Sequence, residues 1–387
     1  MAERIYLDNA STTFPKPPCV PEAVCRYMTQ EGTNVGRGDY SSAYDVEDMV
    51  FETRELLCKT LGGQDPSQVV FTRNVTEALN LVLKGFLRAG DHVVVTSMEH
   101  NAVMRPLAQL RSAGVTFTRV TCAQDGSLSP ADIEATITPE TRLVVTTHAS
   151  NVCGTALPVG NVAKICRRHG VRYVVDCAQT AGVLDVDASE WGVDAVCFTG
   201  HKGLLGPQGI GGAVFCGDFA SQVDAIVAGG TGSSSDLEQM PAFMPDALEA
   251  GTPNLPGIAG LNASLKWLRE RGIDSLRTHE LGLCGLLLEG LEPLEAAGHV
   301  RIVGKRSLQG RTGVVSIQTP GHELAEVAHR LDSEFGIQTR VGLHCAPSAH
   351  KTLGTFPTGT IRFSFGWANA EAEVSQAIKA LKELLRS

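Results

Sequence analysis

Between about residues 45 and 215, apolar runs of strand length alternate with helical stretches, and this alternation restricts the fold more than any other feature. The strand runs are Val69–Thr72, His92–Ser97, Val115–Val120, Leu143–His148, Val171–Val175 and Asp194–Phe198. They are apolar without strict polar–apolar alternation, so both faces of each strand are expected to be covered. Helices are expected over Asp45–Leu61, ended by Gly62–Gly63, from Asn74 through Phe86, stopped at Gly90, and over Asn101–Ser112. The expected class is α/β, with a mainly parallel sheet between helical layers.

After about residue 257 the pattern changes. Two long helices, Ile258–Arg271 and Ser275–Glu292, precede strands at His299–Val303, Gly313–Gln318 and Thr360–Phe365 and helices at Glu323–Phe335 and Ala370–Leu385. A chain of 387 residues exceeds one ordinary core. The expectation is a large domain over 19–256 and a smaller α+β domain over 257–387, with the extended segment 1–18 packed on the smaller one.

Ligands of open α/β sheets bind beyond the carboxyl ends of the strands. Two of the runs place chemistry there: Val171–Val175 leads into Asp176-Cys177-Ala178-Gln179, and Asp194–Phe198 into Thr199-Gly200-His201-Lys202. A lysine amine beside a buried acid suits pyridoxal phosphate (PLP), in which the amine forms a Schiff base and the carboxylate keeps the pyridine nitrogen protonated. A solvated lysine and an aspartate capping the next turn are the alternative.

Other segments carry candidate groups. Thr72-Arg73-Asn74-Val75-Thr76-Glu77 is a strand–turn–helix junction of the kind that binds anions, or a plain helix start capped by Asn74 or Thr76. His100, in Glu99-His100-Asn101, could lie against an aromatic cofactor and move protons, or sit in a surface turn. Asn151 could hydrogen-bond a substrate carboxylate or a ring oxygen, or belong to a connecting turn. Glu249-Ala250-Gly251-Thr252-Pro253-Asn254 reads as a linker and Gly229–Ser235 as a loop, while Gly206–Gly212 leads into a strand and so lacks a dinucleotide-binding context. Cys345 follows His344 and lies five residues after Arg340, neighbours that would favour thiolate; a buried strand-end thiol is the alternative. Arg362 alternates with apolar residues and suits a substrate carboxylate, or an exposed strand position.

The net charge of −9 argues against nucleic-acid binding, and no apolar run approaches a membrane span. The start of the chain has no secretory h-region, so a cytoplasmic location is expected. The 11 cysteines are scattered with no CxxC pair, which fits reduced thiols and no metal site.

Together, Tyr6-Leu7-Asp8-Asn9-Ala10, Thr76-Glu77-Ala78, Glu99-His100-Asn101, Ser150-Asn151-Val152-Cys153-Gly154-Thr155, Val175-Asp176-Cys177-Ala178-Gln179, Thr199-Gly200-His201-Lys202, Glu249–Asn254, Arg340–Ala346 and Ile361-Arg362-Phe363-Ser364 resemble the class V, fold-type I PLP enzymes. Within these they resemble the cysteine desulfurase/selenocysteine lyase family, and the short Arg-x-Gly-x-His-Cys-Ala segment its group II. The resemblance implies that Lys202 holds PLP, Asp176 pairs with the ring nitrogen, Gln179 donates to the ring hydroxyl oxygen and His100 stacks on the ring. Thr76, Thr199 and His201 would hold the phosphate, with Val75 contributing backbone where a small or polar residue is common. Thr252 would reach the neighbouring subunit's phosphate, implying a homodimer with shared sites. Asn151, Arg362 and Arg340 would position the substrate, L-cysteine or L-selenocysteine, and Cys345 would take the sulfur as a persulfide for an acceptor protein. Selenocysteine lyase, another class V reaction such as transamination or epimerisation, and a non-catalytic persulfide carrier are the alternatives.

Overall fold

A computed structural model describes residues 4–35 and 40–385. A seven-stranded sheet runs in the order Val69–Thr72, Gly211–Phe215, Ala195–Thr199, Arg172–Asp176, Thr141–Thr147, His92–Thr96, Thr116–Val120. Every neighbouring pair is parallel except those made by Gly211–Phe215, which is antiparallel to both of its neighbours. The continuous apolar runs follow from burial on two sides. Val94, Val144, Val175 and Val196 face one core together with Leu57, Val162 and Leu265. Val93, Val95, Leu143, Val145 and Val174 face the other with Leu79, Val82 and Val103.

Local signals fix the flanking helices. Asn74 caps helix Val75–Phe86 by accepting from the Glu77 N–H at 3.0 Å. Helix Ser41–Leu61 stops where Gly62 turns left-handed at φ 72°. Helix Asn101–Leu110 is shorter than expected, because residues 111–113 tighten into a 3-10 turn.

A second, antiparallel sheet has the order Arg340–Gly342, Thr360–Ser364, Val314–Gln318, Arg301–Val303. It packs with helices Ile273–Ala296, Leu324–Phe335 and Glu371–Leu384 around a third core. Helix Leu255–Arg271 instead gives Leu255, Ile258, Leu261, Leu265 and Leu268 to the large-sheet core. The N-terminal segment touches both bodies. Ile5–Tyr6 pairs in parallel with Ile337–Gln338, and Ile5 and Leu7 sit in the third core. Further along, the Thr13 N–H and hydroxyl donate to the carbonyls of His201 and Lys202 at 3.1 and 2.8 Å. No helix among the described residues is long and apolar enough to cross a membrane.

Candidate active site

Asp176 ends its strand at the carboxyl edge of the large sheet, and Lys202 follows the strand beside it. Asp176 is 2% exposed, and its Oδ1 accepts from the Ala178 N–H at 2.9 Å. Burial raises its pKa above the usual carboxylate value, opposed by that bond and by Lys202. Burial lowers the Lys202 amine to about 8; Asp176 pulls the other way, and Arg362 and Arg340 add to the lowering. The pair therefore places an amine that loses its proton near pH 8 beside a buried acid.

A phosphate-sized group has partners waiting at the same edge. Thr199 Oγ1 and His201 Nδ1 are buried and bond to nothing among the described residues. Unmet polar groups of this kind call for a ligand or water. Burial keeps His201 neutral, with a pKa of about 4. The N-terminus of helix Val75–Phe86 opens here: Asn74 takes the Glu77 amide, and the Val75 and Thr76 amides precede it in the first turn. Val75 is buried and Thr76 exposed. Thr252 is exposed and lines an open cleft with Asn74, His201 and Asn254 of its own chain. These donors and the Lys202–Asp176 pair match the chemistry that PLP calls for, a phosphate, an aldehyde and a ring nitrogen. Among the described residues no group of three His, Cys, Asp or Glu is placed to hold a metal.

The remaining predicted residues form the walls. His100 caps helix Asn101–Leu110, its Nδ1 accepting from the Ala102 N–H at 3.0 Å. That bond leaves Nε2 as the protonated nitrogen of a neutral ring. Burial, then Lys202 and nearby arginines, lower its pKa to about 4. Gln179 Nε2 donates to the Ala10 carbonyl at 3.1 Å, which ties the N-terminal segment to the site. Arg362 is 2% exposed and donates to Asp8 Oδ1 and Ser11 Oγ, both at 2.8 Å, and to the Asn151 carbonyl at 2.9 Å. Its Nε has no partner among the described residues. Arg340 lies opposite Arg362 on the adjacent strand and donates to Ser11 Oγ at 2.7 Å. Two guanidinium groups thus stand side by side, and Asp8 is the anion that Arg362 already holds. Behind Lys202, a cavity of about 30 Å³ is lined by Asn9, Gln179, Glu280, Thr312 and Ser364, and burial raises the Glu280 carboxyl to about 8.

Cys345 is exposed and stands on a tight turn. The Ala346 N–H donates to the Leu343 carbonyl at 2.8 Å, and both central residues are left-handed, with φ 47° at His344 and 57° at Cys345. Asn-Gly is the usual occupant of such a turn, and a residue with a Cβ costs about 1–2 kcal/mol there. Three bonds hold the turn against that cost. The Cys345 carbonyl accepts from the Asn101 N–H at 2.8 Å, beside His100. Asn151 Nδ2 donates to the His344 carbonyl at 2.7 Å, so this amide serves the turn and not open solvent. His344 Nε2 lies 2.9 Å from Thr360 Oγ1.

The expectation that His344 favours a thiolate is corrected here. Its ring is 5% exposed, and burial lowers its pKa to about 2, so it brings no positive charge. Asp8, Ser11, Thr360 and Glu280 were not singled out from sequence for these contacts. The Asp8–Arg362 bond spans 354 positions, and no local pattern marks it.

An Aminotransferase class-V family model matches residues 5–377. The probable cysteine desulfurase of Methanothermobacter thermautotrophicus is 33% identical, over 99% of this chain and 95% of the relative. That of Pyrococcus abyssi is 34% identical, over 100% of this chain and 95% of the relative. Among solved structures, the apo cysteine desulfurase of Thermococcus onnurineus superposes with a TM-score of 0.92 at 32% identity, covering 99% of this chain and 95% of that one.

Proposed function

The chain belongs to the class-V aminotransferase family, and from that premise we propose that it is a PLP-dependent cysteine desulfurase, converting L-cysteine to L-alanine and taking the sulfur onto Cys345. One observation carries the reading. An exposed thiol stands on a turn bonded directly to the His100–Asn101 turn, at the edge that also presents Lys202 and Asp176. Transamination and epimerisation need no thiol at that place.

Lys202 would attach the cofactor, Asp176 would face the ring nitrogen, and Gln179 and His100 would flank the ring. Thr199, His201, Thr76 and the Val75 amide would hold the phosphate. PLP, when bound, supplies an electron sink for the electrons released at the substrate Cα. The paired guanidinium groups of Arg362 and Arg340 would seat the substrate carboxylate, with Asn151 closing that wall. Lys202, with its amine near 8, is suited to take the Cα proton and return one. His100 Nε2 is suited to pass a proton at the substrate sulfur.

Cys345 Sγ, as thiolate, attacks the substrate sulfur. The S–S bond forms as the Cβ–S bond breaks. The Cβ–S electron pair stays with carbon, which is reduced to the methyl of alanine once protonated, while the sulfurs are oxidised to a persulfide. An acceptor protein would then remove the outer sulfur. Thr252 would act across a homodimer with shared sites, and a division into a large PLP-binding domain and a smaller C-terminal one accompanies this reading.

The test is alanine release from L-cysteine and from L-selenocysteine by wild type and Cys345→Ala. Loss of cysteine turnover in the variant supports the desulfurase. Turnover confined to selenocysteine and indifferent to Cys345 would make the protein a selenocysteine lyase.

A further inference from the structure

Three hydrogen bonds near Cys345 close into a ring through the strand that carries Thr360 and Arg362. Arg362 donates to the Asn151 carbonyl at 2.9 Å, and Asn151 Nδ2 donates to the His344 carbonyl at 2.7 Å. His344 Nε2 meets Thr360 Oγ1 at 2.9 Å, and Thr360 stands two residues before Arg362 on one strand, so both project from the same face. The arginine that faces the substrate anion and the turn that carries the thiol are thus joined through one imidazole and one hydroxyl.

We propose that His344, held by Thr360, is a positioning residue that keeps Cys345 in its left-handed turn and sets the thiol at a fixed distance from the substrate held by Arg362. The inference rests on the desulfurase reading for its effect on rate, though not for its effect on the turn. Two features support it. His344 and Cys345 occupy a conformation that residues with a Cβ avoid, so the turn relaxes unless it is held. The His344 side chain is buried while its neighbour is exposed, so the ring works as an anchor and the thiol as the free end. His344 touches no reacting atom in this scheme. Its Nε2 meets Thr360 Oγ1, and its Nδ1 is buried with no hydrogen-bond partner among the described residues; its ring centroid lies 5.5 Å from that of His350, whose Nδ1 is 2.6 Å from Thr355 Oγ1.

Thr360→Val keeps the shape of the side chain and removes the hydroxyl; Thr360→Ser keeps the hydroxyl. The holoenzyme is assayed with L-cysteine, and amide hydrogen exchange is followed at Asn101 and Ala346, whose N–H groups close the turn. For Thr360→Val the expected result is a fall in kcat of about tenfold, with KM changed by less than about twofold and exchange at both amides about tenfold faster. Thr360→Ser restores both. Wild-type kcat and unchanged exchange in Thr360→Val would overturn the proposal, as would an equal fall in Thr360→Val and Thr360→Ser. Should the wild type release no alanine, the desulfurase reading fails. The exchange rates then decide the anchoring alone: faster in Thr360→Val supports it, and unchanged refutes it.

Discussion

The depressed Lys202 amine sets how fast the apo chain captures its cofactor. Only the neutral amine attacks the aldehyde. With an amine at about 8, roughly a tenth of molecules are neutral at pH 7, against roughly three in ten thousand for a lysine at its ordinary value, a gain of about 300-fold. Capture of PLP by the apo chain, followed by absorbance from pH 6 to 11, should rise about tenfold per pH unit and bend near 8. Arg362→Gln removes one of the cations that lower the amine, so its bend should move to higher pH. A wild-type rate that keeps climbing to about 10.5 would refute the reasoning, because the lysine would then be behaving as a solvated one. Stability follows the same group. Between about 8 and 10.5 the unfolded chain holds a proton on Lys202 that the folded apo chain lacks, so this residue makes the apo protein more stable as pH rises through that window.

Two other substitutions probe the site from different sides. Thr199→Val removes a buried hydroxyl that has no partner among the described residues; the apo melting temperature should hold or rise, while PLP affinity falls about fivefold to tenfold in a binding titration. Asp8→Ala strips the carboxylate from a guanidinium that is 2% exposed. It should destabilise the chain by about 3 kcal/mol in denaturant unfolding, the low end for a broken buried pair, since Ser11 and the Asn151 carbonyl remain as acceptors.

The large sheet was legible because its strands are buried on both faces and its helices carry ordinary start and stop signals, such as Asn74 and Gly62. The meeting of Lys202 with Asp176 was legible for the same reason: parallel neighbouring strands deliver their ends to one edge. Short elements were not. Ile337–Gln338 and Arg340–Gly342 are two and three residues long, and their strand character comes from partners far along the chain, at Ile5–Tyr6 and Thr360–Ser364. The helix expected over Ile258–Arg271 forms as Leu255–Arg271, and its apolar stripe packs on the large-sheet core; periodicity shows that a face is buried, not against what. His344 looks from sequence like a charge beside Cys345. Its burial lowers its pKa, and no local pattern marks the contact of its Nε2 with Thr360, sixteen positions on.

The central claim is that Cys345 takes sulfur from the substrate. Intact and peptide mass spectrometry of the holoenzyme after L-cysteine, without reductant, tests it most directly. The account predicts one added sulfur atom on the peptide bearing Cys345, absent in Lys202→Ala and in Cys345→Ala. Alanine release by wild type with no sulfur on that peptide, or sulfur carried equally by Cys345→Ala, would contradict it.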